Sequence, residues 1–495
     1  IVIYNSKMGI PSYFSSIKKK YARNAGEWLL PVLPNSMTCK HLYVDLNGVV
    51  HTCAFRVVSQ YEKHLLSTHA HLPFKELQAM VAKRADEMFV KVVRPQVCRA
   101  VLTEVQALLD TAQPSDLCYL ALDGVAPRAK MEQQRQRRHR SVADRSLEQS
   151  VYNKHKQAFL RGSLWDSNCV TPGTAFMEAL SSFLHAELPT LTCGACVVEL
   201  SDSSQCGEGE HKIMAHLREC STVFQPCESV VLHGQDADLI MLAFSFLSVH
   251  GMSIPFYLLR DSTDQRQVKK EKQGMKSATP QTLTPTSSLS VTLDVQSNWM
   301  YTPAHSALNV QFLSTNVLMR CVLRHMESYG DVYSEAERPF VIRDYVAMCF
   351  LLGNDFLPHS PTLSIQDKGI DTLFEAYVPL RKMSGGYLVK TVEREACAPE
   401  AHWNISLFVN MLNKLAQQED YLAGRLHTNT LQKRKWMLQQ QRYPRDIECT
   451  RTTGDVSQPA NHRQMVYTLE HELRHLQTLP PSFWAVDDRV LAGTP

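Results

Sequence analysis

SVVLHGQDAD, residues 229–238, is the stretch whose reading decides the fold: a β-branched, mainly apolar run, then Gly234, then aspartates at 236 and 238. A short apolar run bounded by turn residues predicts a strand buried on both faces. HLYVD (41–45), LCYLALD (117–123) and CVVELSD (196–202) repeat the pattern, each ending in an acid, and PFYLLRD (255–261) is similar. Between these runs, Glu76–Asp110, Lys130–Phe159, Thr174–His185 and Glu210–Cys220 read as helices. Strands alternating with helices predict an α/β fold with a mostly parallel central sheet flanked by helices. In such sheets ligands gather at the carboxyl ends of the strands, which is where these acids fall.

Farther along, residues 262–300 are rich in Lys, Gln, Thr, Ser and Pro with little apolar periodicity, and read as a low-complexity insertion or exposed loop. Ordered sequence resumes near Val310, a helix is expected over Arg343–Leu352 running into GNDFLPHSP, and from about Trp403 the chain reads as mainly helical, with a polar stretch at 449–463. No internal repeat is visible.

The 495 residues carry a net charge of +3, with 44% apolar and 20% charged residues, which excludes a wholly disordered chain. The longest apolar stretch, Leu239–Val249, is far short of the roughly 18 residues a membrane span needs, so no membrane partner is expected. The 14 cysteines are scattered, which points to reduced thiols in an intracellular compartment; Cys193 and Cys196 form a CxxC with no second Cys/His pair nearby and read as buried thiols. Charge is unevenly spread. Between Arg128 and Arg161 there are ten Lys or Arg against three acids, a basic block in an otherwise balanced chain.

The residues with the most chemistry are carboxylates: Asp45, Asp123, Glu208, Glu210, Asp236, Asp238 and Asp355. Asp236 and Asp238 form a D-x-D which, read as a strand end, puts both side chains on one face. Glu208 and Glu210 sit in GEGEHK, whose glycines allow close backbone approach. Acids converging on one sheet edge repel one another unless cations neutralise them, and oxygen ligands suit Mg²⁺ or Mn²⁺. Two such ions about 4 Å apart activate water and stabilise a phosphodiester displacement. Taken singly, each acid reads equally as a helix cap or a solvated turn residue. On a helix, Lys130, Gln134, Arg137 and Arg138 fall at i, i+4, i+7 and i+8, one face suited to a terminal phosphate or simply to solvent. His51, six residues after Asp45, reads as a packed histidine or as a platform for a nucleobase.

Taken together, MGIPSYF, YVDLNGVVH, LALDGVAPRAKMEQQRQRRHR, LWDSNCVTPGTAFM, GEGEHKI, GQDADLIML and LLGNDFLPHSP resemble, in order from Met8 to about Pro361, the N-terminal conserved region of the Xrn family of 5′→3′ exoribonucleases. The resemblance implies a PIN/flap-nuclease-like fold and a Mg²⁺-dependent, processive enzyme of RNA turnover. Its substrate would be single-stranded RNA with a 5′-monophosphate, and the decapping machinery a partner. Two Mg²⁺ ions, replaceable by Mn²⁺, would be held by Asp45, Asp123, Glu208, Glu210, Asp236, Asp238 and Asp355. Lys130, Gln134, Arg137 and Arg138 match the family's 5′-phosphate pocket, and His51 the residue that stacks on the first base. The domains implied are a nuclease domain over 8–261 and 301–365, the insertion at 262–300, and a mainly helical linker over 366–495 leading into a truncated second conserved region.

Three departures accompany the resemblance. Seven residues, IVIYNSK, precede Met8, where family members normally begin. The chain stops at VLAGTP, which resembles the start of the second conserved region, so the aromatic residue that opposes His51 in the family is expected to be missing. Residues 228–320 contain no Cys, hence no zinc knuckle of the nuclear branch, which favours a cytoplasmic over a nuclear location. Two rival readings stand beside this one. A flap-type structure-specific 5′ nuclease shares the acids but typically has a helix-hairpin-helix, and no Gly-rich hairpin follows GNDFLPHSP here. A non-catalytic RNA-binding scaffold would lack metal ligands or the C-terminal half.

Overall fold

The computed structural model describes residue 10 and residues 12–220, 224–262, 299–303, 308–354, 357, 360, 362–392 and 400–442. Met8, Asp355, the bulk of the insertion, the 449–463 stretch and VLAGTP lie outside the described residues.

Seven strands form one sheet: β1 (Leu29–Leu30), β2 (Thr38–Asp45), β3 (Leu117–Ala121), β4 (Val197–Ser201), β5 (Glu228–His233), β6 (Phe256–Asp261) and β7 (Val310–Ser314). Their order is β1-β7-β6-β5-β2-β3-β4. The five strands from β6 to β4 are parallel, as expected, whereas β7 and β1 add an antiparallel margin that the sequence reading did not foresee.

Apolar side chains alternate between two cores. Tyr43, Val230, Leu232, Phe256 and Leu258 face one side, against helices Gly209–Glu219, Asp238–His250, Thr315–Glu327, Arg338–Cys349 and Gly369–Ser384. Leu42, Val44, Val231, Tyr257 and Leu259 face the other, against Leu46–Thr68, Phe74–Lys83, Arg94–Ala112 and Ala175–Glu187. Burial on both faces is why these strands read as continuous apolar runs rather than alternating ones.

The chain leaves β2 towards β3 and β4 on one side and returns to place β5 on the other. The order therefore reverses beside β2, and a crevice opens at the carboxyl ends there. Beyond the sheet, β8 (Val389–Val392) and β9 (Glu400–Trp403) form a hairpin, and helices Ile405–Ala416 and Glu419–Arg442 follow. The stretch expected as one helix over Glu76–Asp110 is in pieces: Phe74–Lys83, Ala85–Met88, a π-turn at Phe89–Val93, and Arg94–Ala112 with Pro95 in its first turn. Proline is favoured in a first turn, where its missing N–H costs nothing, and that is where Pro95 falls. Among the described residues no helix is long and apolar enough to cross a membrane.

Candidate active site

Asp45 ends β2 and caps the helix Leu46–Thr68, its Oδ1 accepting the Asn47 N–H at 3.3 Å. It is thus both a helix cap and part of the acid cluster. Asp123, two residues past β3, has both oxygens engaged: Oδ1 accepts the Gly209 N–H at 2.7 Å and Oδ2 accepts from Asn47 Nδ2 at 2.6 Å. The Asp123 N–H returns the contact to Asn47 Oδ1 at 3.1 Å, so one asparagine ties two strand ends together. A Cβ on Gly209 would stand 3.1 Å from both Ala121 O and Asp45 Oδ1. Glycine there lets the N-terminus of Gly209–Glu219 approach the acids, placing Glu208 as its cap residue and Glu210 in its first turn. The preceding loop is pinned by Gly124 N–H to Gly207 O at 2.8 Å and Gly207 N–H to Val125 O at 2.9 Å, with Gly207 at φ +104°.

The D-x-D is not on a strand. β5 ends at His233, Asp236 lies in the following turn, and Asp238 begins the helix Asp238–His250. The two acids converge through a strand–turn–helix corner, not through strand alternation. Buried Arg260 on β6 secures that corner: Nη1 donates to the Asp236 carbonyl at 2.9 Å, Nη2 donates to the Gln235 carbonyl, and the guanidinium covers the Phe14 ring at 4.6 Å. The Ile10 N–H donates to Asp238 Oδ1 at 3.1 Å.

The carboxylates raise one another's proton affinity. Burial, then repulsion from Asp123, Glu210 and Asp236, pushes Asp45 well above the usual carboxylate range. Burial also raises Asp123, against the opposing Gly209 hydrogen bond, and takes Glu210 up to about 7. Glu208 goes the other way: burial resists ionisation, but His211 and Lys130 outweigh it. Lys130 Nζ lies 3.3 Å from Glu208 Oε1, and His211 Nδ1 lies 3.5 Å from Oε2, too poorly aligned for a hydrogen bond. Glu208 Oε2 is buried and left without a hydrogen bond among the described residues. Buried, mutually repelling oxygen donors with an unsatisfied lone pair fit a hard divalent cation. The ligand atoms of Glu208, Glu210 and His211 fall within 4.8 Å of one another.

One cavity of about 280 Å³ is lined by Asp45, Asp123, Glu208, Glu210, Asp236 and Asp238, and also by Lys130, Gln134, Arg137, Arg138 and His51. The structure thus brings together every candidate site residue named above, the acids, cations and His51, except Asp355, which lies outside the described residues. The cations come from the helix Arg128–Lys154, in which only Lys130 and Val151 are buried. Lys130 differs from its companions, reaching inward to Glu208 rather than standing on the open face. His51 is open to the cavity yet enclosed by its walls; that enclosure, then the Arg137 charge, lowers its imidazole to about 4. The ring is neutral at physiological pH. Asn47, Ser141, Asn168, Thr171 and Gln235 also line the cavity and were not singled out. Asn168 and Thr171 lie inside LWDSNCVTPGTAFM, where the signal was available. The CxxC carries no metal-binding group among the described residues, and Cys193 Sγ instead donates to the Cys196 carbonyl at 3.0 Å.

Comparison with known proteins agrees with this geometry. The family model for the XRN 5′-3′ exonuclease N-terminus matches residues 8–262, and that for the Xrn1 helical domain matches 335–478, so the chain extends into the family's second region. The chain is 30% identical over 460 residues to 5′-3′ exoribonuclease 2 of Schizosaccharomyces pombe, covering 83% of this chain and 41% of that protein. It is 29% identical over 417 residues to the 5′-3′ exoribonuclease 2 homolog of Drosophila melanogaster, with 77% and 42% covered. With 5′-3′ exoribonuclease 1 of Schizosaccharomyces pombe it shares 28% over 393 residues, with 77% and 24% covered. The chain therefore spans about two fifths of the length of the first two relatives. Since the first model covers more than half of the chain and takes in every described cavity residue, the chain belongs to the XRN 5′-3′ exonuclease family.

Proposed function

We propose that this chain carries the nuclease site of a processive 5′→3′ exoribonuclease that uses Mg²⁺ and takes RNA ending in a 5′-monophosphate. The observation that carries this reading is the shared cavity: a carboxylate cluster and a cationic helix face meet in a space of about 280 Å³. Two chemistries that would repel or cancel elsewhere are used here on adjacent phosphates. Arg137, Arg138 and Gln134 engage the terminal phosphate, while Lys130, already beside Glu208, supplies a point charge between the two regions. Neutral His51 offers a ring for the first base. The six described carboxylates, joined by Asp355, hold the ions. Bound divalent ions supply an activated water and charge stabilisation at the scissile phosphate. Arg137, Arg138 and Gln134 form one cluster suited to a terminal monophosphate, and the family likeness favours decapped or cleaved RNAs over capped or triphosphorylated ones. It also makes the decapping machinery a supplier of substrate, in the cytoplasm or the nucleus.

The test is Asp236→Ala and Asp238→Ala assayed on 5′-monophosphate RNA with Mg²⁺ or EDTA. The expected result is loss of cleavage with RNA binding retained, because the ions and not the binding contacts stabilise the displacement. Near-normal cleavage by either variant overturns the metal assignment.

A further inference from the structure

The active-site cavity has a neighbour. A second cavity of about 760 Å³ adjoins it, and His51, Arg137, Ser141 and Ser167 are walls of both. Two helices form its long sides. On Leu46–Thr68, His51, Phe55 and Ser59 recur every four residues, so they share one face and lead away from the acids. On Arg128–Lys154, Arg137, Ser141 and Arg145 recur at the same interval, facing the cavity. Phe55 is 63% exposed although its helix is packed deep in the core, so an aromatic ring has been left open towards this space. Phe159, itself buried, also lines the cavity, with the Arg161 guanidinium 5.3 Å from its ring centre.

The chemistry is that of a nucleotide site, but a weaker one than its neighbour. None of the described acids of the sheet edge lines it, so it cannot hold the scissile bond. Its cations are largely occupied: Arg140 faces Asp144 at 3.7 Å, Arg145 pairs with Asp166, and Arg161 donates to the Tyr152 hydroxyl at 3.1 Å. A phosphate moving from Arg137 into this space meets guanidinium groups that already have partners, two of them acids. It is admitted without being trapped.

We propose that the second cavity is the product path, taking the nucleoside 5′-monophosphate released at each cut. This rests on the exonuclease reading above. The RNA beyond the scissile bond lies on the side of the acids, so the groups on the far side of Arg137 are those 5′ of the cut. Departure of the product through the entrance would force the RNA to withdraw at every step. A second opening lets the base slide from His51 to Phe55 while the next 5′ end advances.

The test uses Ser59→Trp, which obstructs the cavity, and Phe55→Glu, which places a repelling charge on an already exposed position. Rapid-quench measurement on 5′-monophosphate RNA separates release of the first nucleotide from that of later ones. The expected result is a first nucleotide at the wild-type rate and later ones slowed about tenfold, the scale of one lost stacking contact. Independently, Phe55→Trp is titrated with adenosine 5′-monophosphate and with inorganic phosphate, expecting fluorescence quenching by the nucleotide alone. Unchanged later steps in both obstructing variants overturn the proposal, even if the nucleotide binds. Equal slowing of first and later steps also overturns it, making the cavity part of substrate entry. If Asp236→Ala shortens RNA as the wild type does, the exonuclease reading fails instead, and the titration alone then decides whether the cavity takes a mononucleotide.

Discussion

Leu46–Thr68 and Arg128–Lys154 face each other across the cavity and are held there by opposite means. The first, 23 residues long, buries Val50, Ala54, Val57, Val58 and Tyr61 along one side, and Tyr61 packs against Trp299 with ring centres 4.7 Å apart. The second, 27 residues long, buries only Lys130 and Val151. It is fastened by polar ties: Lys130 to Glu208, Ser141 to Ser167 at 3.2 Å, and Arg145 to Asp166. The aromatic wall is therefore part of the core, while the cationic wall is nearly all surface. A helix with so little burial is held by its polar contacts rather than by packing.

Substitutions should separate the two walls. Tyr61→Ala, at 1% exposure, should cost about 3–5 kcal/mol of stability, read as a lowered denaturation midpoint, because it opens a cavity beside Trp299. Equal stability to wild type would mean the aromatic wall is not anchored as described. Arg137→Ala should leave the midpoint unchanged but reduce the preference for 5′-monophosphate over 5′-hydroxyl RNA by about 10- to 100-fold, the worth of one charge-assisted contact. Parallel slowing on both ends would instead make the cationic wall a general electrostatic surface.

A third comparison concerns pH. Asp45, Asp123 and Glu210 titrate higher in the folded chain than in the unfolded one, so the folded state keeps protons that the unfolded state has released. Stability from this source is complete below the usual carboxylate range and is lost as pH rises through the folded values, for Glu210 through about 7. In EDTA the melting temperature should fall between pH 5.5 and pH 8, and Mg²⁺ should restore it at pH 8. A flat profile in EDTA would contradict the burial and mutual repulsion that raise these groups. The smallest effect is expected at Val142, 55% exposed on the cationic wall, where Ala should change stability by less than about 0.5 kcal/mol.

Much of this architecture can be read from the chain, and the exceptions have identifiable causes. The parallel strands are legible because burial on both faces leaves apolar runs such as LCYLA intact. β1 and β7 are not, since two leucines and VQFLS carry too little pattern. The helix after Asp45 is obscured by Asn47-Gly48, which reads as a turn, and by β-branched Val49, Val50, Val57 and Val58, which favour strands. Tertiary burial overrides both signals. In the site, repeated acids and regularly spaced cations stand out as sets. Asn47 does not, because its role depends on two strand ends meeting, a relation that no local spacing records.

β6 and β7 meet with Asp261 opposite Val310, at the same edge of the sheet as the carboxyl ends of β2 and β5. Arg260, next to that junction, holds the Asp236 corner, and Trp299 and Tyr301 on the return side are gripped by Gln96 through hydrogen bonds of 3.3 and 3.2 Å. The two ends of the insertion are thus fixed by the sheet and by a helix, independently of the sequence between them. Closing a longer loop costs little more than closing a short one. The junction is consequently an attachment point: a foreign module spliced between residues 263 and 298 would leave the pairing of β6 with β7 unchanged.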